Sequence, residues 1–157
     1  MVCLGNICRS PMAAAILENK SRKSHSSAIL VTSSGTSNYH IGDGPHRLSK
    51  KTWESSGYQY EHVAKQFNPA SFSNQDLILT MDLSNRAMVL TAARSESDRE
   101  KVFLLRQFDP TLSHIDPLSR EATDLQVPDP WGEEIEAYQE VLSMIERAVD
   151  GLLNKIR

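Results

Sequence analysis

Cysteine is nearly absent from these 157 residues: only Cys3 and Cys8 occur, close together at one end. Two thiols so placed make a poor disulfide framework and a plausible reactive pair in a reducing compartment. Long apolar runs are missing too, and nothing approaches the roughly 20 residues of a membrane-spanning helix. The N-terminus lacks a signal-peptide pattern. A cytoplasmic location with no membrane partner is therefore expected. Neither sign of charge dominates. Lys and Arg total 17 against 20 Asp and Glu, a net charge of -3 that gives no electrostatic reason to expect nucleic acid. Any anion recognised must be held by a local site. The chain shows no internal repeat, no low-complexity linker and no metal-ligand spacing, so neither a metal nor a cofactor is expected.

What is present is ordinary for one globular domain spanning 1–157. Short apolar runs alternate with helical patterns, which predicts an α/β fold. Its core would be a small, twisted, roughly four-stranded parallel sheet with helices on both faces. Residues 28–31, 76–81 and 101–105 are expected as buried strands. Only Met1 and Val2 precede Cys3, so the first strand is expected to be very short or truncated. Ser10 suits a helix N-cap and Pro11 the first helical position. Met12, Ala15, Ile16 and Asn19 then share one face. Further helices are expected over 46–55 and 84–93. The last is the clearest: Ile135, Tyr138, Leu142, Ile145, Val149, Leu152 and Ile156 keep a three-four spacing. From Arg106 to Gly132 no period survives, and the proline-punctuated segment is expected to be a long functional or disordered loop.

Cys3-Leu4-Gly5-Asn6-Ile7-Cys8-Arg9-Ser10 puts a cysteine and an arginine at the two ends of a short strand-to-helix loop. Gly5 and Asn6 tolerate the left-handed conformations that let successive N–H groups turn inward as an anion nest. The helix that follows points its positive end at the same spot. Arg9 adds a planar fork matched to two phosphate oxygens. A thiolate, the nucleophilic form of cysteine, suits such a field.

The stretch from Val2 to Ala13 resembles the signature of the low-molecular-weight protein tyrosine phosphatases. The resemblance continues through residues 33–42, 62–66, 77–82 and 127–131 and the final helix, so it spans essentially the whole chain in order. It implies hydrolysis of phosphotyrosine through a phosphocysteine on Cys3, with a phosphotyrosine protein as substrate and inorganic phosphate as product. Arg9 would hold the phosphoryl oxygens, Leu4 to Cys8 would form the phosphate-binding loop, and Ser10 would assist Cys3. Asn6, Ser33 and His62 would form a hydrogen-bond network supporting the loop. Asp129 would be the general acid and base. The residues alone leave that choice open among Asp109, Asp116 and Asp129, each followed by proline and each at home in a turn. A monomer is expected.

Other assignments keep two readings. Trp131 is either an aromatic at the pocket rim or a hydrophobic staple onto the last helix, and Tyr39 and His40 match a loop at the pocket mouth. Cys8 is either a redox partner of Cys3, as in the family, or a small packed hydrophobe. Trp53 is expected in the core, and His25, His46 and His114 on the surface. His46 stands where the family commonly has an acidic residue. The Asp129-Pro130-Trp131-Gly132 segment is of the bacterial form, and some bacterial members are protein arginine phosphatases. Those carry threonine at the position of Ile7, whose bulk would narrow the pocket for a flat ring. An arsenate reductase of the same fold would need further cysteines beyond Cys8. A non-catalytic phosphate-binding module remains a further alternative.

Overall fold

The computed structural model describes residues 1–23 and 29–156. Four short strands, β1 (Val2–Cys3), β2 (Ser34–Gly35), β3 (Ile78–Thr80) and β4 (Val102–Leu104), form one parallel sheet in the order β2-β1-β3-β4. The expectation of a small parallel sheet with helices on both faces is borne out. Successive strand residues face opposite ways. Cys3 and Leu79 join the larger core under α1 (Arg9–Lys23), α2 (Arg47–Ser55) and α6 (Ile135–Lys155). Val2, Ile78 and Val102 join the smaller one, with Phe72 from α3 (Ser71–Asn74) and Val89 from α4 (Leu83–Thr91). A short α5 (Glu96–Arg99) leads into β4. No helix among the described residues is long and apolar enough to cross a membrane.

Several sequence expectations need correction. The strand expected over 28–31 does not form. Ala28 lies outside the described residues, and Ile29 and Val31 pack against the core without pairing while Leu30 stays exposed. Pairing waits until Ser34 because the partner, β1, is only two residues long and its register is Val2 to Ser34. Ser10 is not an N-cap, since α1 already begins at Arg9. The apolar residues of α1 do not form one face either: everything from Arg9 to Leu17 is buried. The helix runs between sheet and neighbours rather than over a surface. The α6 stripe holds from Tyr138 to Leu152, but Ile156 is exposed.

The 106–132 segment is ordered rather than a plain loop. It carries three 3-10 turns, over Leu105–Phe108, Pro110–Leu112 and Arg120–Leu125. Ile115, Ala122 and Leu125 pack with Leu104 into a third small cluster. Its period is hidden because 3-10 turns are too short to show one. The first turn lies flush on α6. A Cβ on Gly151 would fall 1.8 Å from the Phe108 carbonyl oxygen, so only glycine permits this approach.

Candidate active site

The loop from Cys3 to Arg9 leaves the end of β1 and enters α1. Its carbonyls are taken from outside. Cys3 O accepts from Thr36 N (2.9 Å), Leu4 O from Ser37 N (3.0 Å) and Ile7 O from His46 N (2.8 Å). Cys8 O accepts from the Ser49 hydroxyl (2.7 Å) and Asn6 O from His62 Nε2 (2.6 Å). In a trans peptide the N–H points opposite to the C=O. Holding these carbonyls outward therefore turns the following N–H groups inward, as an anion nest needs.

Asn6 makes the turn possible, with φ of 56°, the one non-glycine residue in the left-handed region among those described. It is fully buried and its side chain is fully used. Nδ2 donates to Ser10 Oγ (2.8 Å) and Ser33 Oγ (3.0 Å), and Oδ1 accepts from Lys65 N (2.9 Å). Ser33 Oγ is 3.5 Å from His62 Nδ1. Since His62 Nε2 must carry a proton to reach the Asn6 carbonyl, neutral His62 has Nδ1 free to accept from Ser33. Burial is the main reason that its pKa falls below the usual histidine value; the Asn6 carbonyl opposes this. The three supporting residues expected from sequence thus meet in one network behind the loop.

Gly35 lies directly beneath it. A Cβ there would sit 2.6 Å from Leu4 O and 3.1 Å from Asn6 N, so the loop can wrap only over bare backbone.

Cys3 Sγ is 3.0 Å from Ser10 Oγ and accepts from Asn6 N at 3.3 Å. Arg9 is buried and fixed at one nitrogen: Nη1 donates to Asp82 Oδ2 (2.7 Å) and Val127 O (2.9 Å). Nη2 lies 3.5 Å from Asp129 Oδ2. Cys3, Arg9 and Asp129 all line a single cavity of about 220 Å³, together with Leu4, Gly5, Ile7 and Cys8. Tyr39, His40 and Trp131 complete its lining, Tyr39 and Trp131 as exposed side chains at its open side. Trp131 is 64% exposed, which excludes the staple onto α6. His40 packs its ring over Gly5 and pairs with Asp43 at 3.1 Å.

Of the three Asp-Pro aspartates, only Asp129 reaches this cavity. Asp109 is fully buried elsewhere, accepting from Thr111 N, Thr111 Oγ1 and Arg147 Nε. Burial alone would raise its pKa, but these bonds outweigh burial and leave it below the usual value. Asp116 caps its own turn through Leu118 N.

Three further placements differ from expectation or escaped it. His46 is not a free surface residue: its Nδ1 caps α2 by accepting from Leu48 N, and its ring stacks on Tyr138. His25 lies outside the described residues, whereas His114 is exposed as expected and Trp53 is in the core. Asp82 was missed. It caps α4 by accepting from Asn85 N (2.7 Å) while its other oxygen holds Arg9. The Asp82-Leu83-Ser84-Asn85 run before a helical stretch was the available signal. Cys8 is a free, buried thiol whose pKa burial pushes up to about 12, opposed by its hydrogen bond with the Tyr138 hydroxyl.

Over residues 1–157 the chain matches the model of a family described as low molecular weight phosphotyrosine protein phosphatase. The chain belongs to this family. A low molecular weight protein-tyrosine-phosphatase of Streptomyces coelicolor is 34% identical over 157 residues, covering 99% of this chain and 91% of the relative. Among solved structures, a protein tyrosine phosphatase of Entamoeba histolytica with Hepes in its active site superposes with a TM-score of 0.86. It is 29% identical, and the match covers 99% of this chain and 93% of that one. The YwlE arginine phosphatase of Geobacillus stearothermophilus superposes with a TM-score of 0.80 at 28% identity, over 99% and 89% of the two chains. Relatives named protein-tyrosine phosphatases are phosphoric monoester hydrolases, and membership of the family implies a phosphoprotein substrate.

Proposed function

We propose that the chain hydrolyses phosphotyrosine on proteins through a phosphocysteine on Cys3. The observation that carries this reading is the convergence of Cys3, Arg9 and Asp129 on one cavity, with Asp109 and Asp116 engaged elsewhere. Cys3 Sγ attacks phosphorus while the P–O bond to the tyrosine breaks. The leaving oxygen takes its proton from Asp129, because a phenoxide is a poor leaving group. Arg9 and the inward N–H groups hold the phosphoryl oxygens where charge develops, so the reading needs no metal. Asp129, now a base, then takes a proton from water. The water attacks phosphorus, phosphate is released, and Cys3 leaves as thiolate toward the Ser10 hydroxyl, 3.0 Å away.

The test is hydrolysis of phosphotyrosine and phosphoarginine peptides side by side, with Cys3→Ser as control. Preference for phosphotyrosine and loss of turnover in the variant are expected. Ile7 on the cavity wall and Trp131 at its mouth support a flat aromatic guest. Preference for phosphoarginine would move the chain to the other activity found among its structural neighbours. Turnover persisting in Cys3→Ser would end the phosphocysteine mechanism.

Cys8 supports a second, redox reading of the same loop. A hydroperoxide oxidises Cys3 to sulfenic acid, and the Cys8 thiol condenses with it, releasing water and leaving a disulfide. Peptide mapping after peroxide treatment should find Cys3 joined to Cys8. A Cys8→Ser protein that recovers equally well with reductant would reduce Cys8 to packing.

A further inference from the structure

The acid is only as well placed as the chain that carries it, and that chain is anchored in an unusual way. Residues 124–127 form no regular element beyond the end of a 3-10 turn, yet the segment is gripped by four partners. Val127 N donates to Met81 O (2.7 Å) at the end of β3. Val127 O is held by Arg9 Nη1. The Gln126 side chain accepts from Leu83 N (3.0 Å) at the start of α4. Arg106 supplies the fourth grip. From the first 3-10 turn after β4, its Nη1 donates to Asp124 O (2.9 Å) and to Gln126 O (2.7 Å). It does not line the cavity; its hydrogen bonds go to two carbonyls of one short segment, while the Asp109 and Asp124 carboxylates favour its charge.

Between the last anchor, Val127, and Asp129 stands only Pro128, and Pro130 follows. Proline fixes its own φ and restricts the residue before it. Asp129 has little freedom to correct a shift passed on from 124–127. Its carboxylate accepts one hydrogen bond, from Trp131 N (3.1 Å), and faces Arg9 Nη2 at 3.5 Å. We infer that Arg106 is a positioning residue for Asp129: by clamping the Asp124 and Gln126 carbonyls it sets where the acid's carboxyl stands over Cys3. The Gln126 side chain assists by tying the same segment to Leu83 N at the start of α4. This rests on Asp129 being the general acid.

A misplaced acid hurts most where protonation of the leaving group matters most. The experiment measures kcat/KM for aryl phosphates of graded leaving-group basicity, in Arg106→Met, Arg106→Lys, Asp129→Asn and the Arg106→Met/Asp129→Asn double variant. In Arg106→Met, phenyl phosphate should suffer a loss of about 10- to 100-fold, the scale of a displacement near 1 Å. The loss should shrink toward none for the best leaving groups. Arg106→Lys should recover much of it, since one ammonium can also donate to two carbonyls. The double variant should show no leaving-group dependence beyond that of Asp129→Asn.

A uniform loss across all substrates, as a drop in folded fraction would give, overturns the inference, and so does no loss at all. If Arg106→Met does not fold, Arg106→Lys and Gln126→Ala carry the same measurement, with a steeper dependence expected in Gln126→Ala. Failure of the underlying reading looks different: the dependence in Asp129→Asn itself would then equal that of the unaltered protein.

Discussion

The two halves of the candidate site share backbone anchoring and differ in what their own side chains add. The phosphate loop is held through its carbonyls, by Thr36 N, Ser37 N, His46 N, Ser49 and His62, and also by the side chain of its own Asn6, bonded to Ser10, Ser33 and Lys65 N. The segment bearing Asp129 is held mainly through its own backbone, by Met81 O, Arg9 and Arg106, with one side-chain tie from Gln126 to Leu83 N. Side-chain anchoring demands particular residues in the loop. Backbone anchoring demands almost nothing of the anchored residues, because every carbonyl is alike, and moves the requirement to distant donors. The loop should therefore tolerate little change within itself, and the acid segment should be sensitive to changes elsewhere.

The sharpest way to probe the acid half is to remove its aspartates singly. Asp129→Asn cannot donate a proton and should lower kcat/KM for poor leaving groups roughly 10²–10⁴-fold. Asp109→Asn and Asp116→Asn should leave rates nearly unchanged. Asp109→Asn should instead lower stability by about 1–3 kcal/mol, since it weakens charge-assisted bonds to a buried group. Denaturant unfolding and aryl phosphate kinetics together separate the two effects. A steep leaving-group dependence in Asp109→Asn rather than Asp129→Asn would reassign the acid.

The loop half has a smaller and pH-dependent signature. His62 is neutral in its network, with a pKa lowered mainly by burial. A depressed pKa means that the folded state resists the proton. Its contribution to stability is present above the unfolded value near 6.5 and is lost as pH falls through the folded value. His46, lowered by burial and by Arg47, acts in the same direction. Asp109 loses its contribution only at lower pH, below the ordinary carboxylate range. The thermal midpoint should therefore drop between pH 7 and pH 5, and His62→Gln should flatten that drop while lowering the pH 7 value. An unchanged slope in the variant would detach His62 from the loop's stability.

The same contrast explains what could be read from sequence. Cys3, Asn6, Arg9 and Ser10 lie within eight residues, and the order strand, loop, helix is visible in the chain. The α6 stripe is legible because a long amphipathic helix repeats its signal. Residues 28–31 misled because an apolar run reports burial, while strand formation depends on the register of a two-residue partner. Asp82 was missed because its hold on Arg9 spans 73 positions, and its helix-capping role is ordinary. Nothing in the residues themselves separated Asp129 from Asp109. Arg106 carried no signal at all, since its partners are carbonyls.

Gly35 shows how far the loop's sequence suffices. The curve of residues 4–6 is moulded against a neighbouring strand that presents no side chain at that level. The octapeptide from Cys3 to Ser10 is thus not a portable cassette. Grafted onto another parallel sheet it would need a bare glycine on the adjacent strand, one strand over and in the same register. Without that hollow beneath it, the same eight residues would spell the motif and miss its shape.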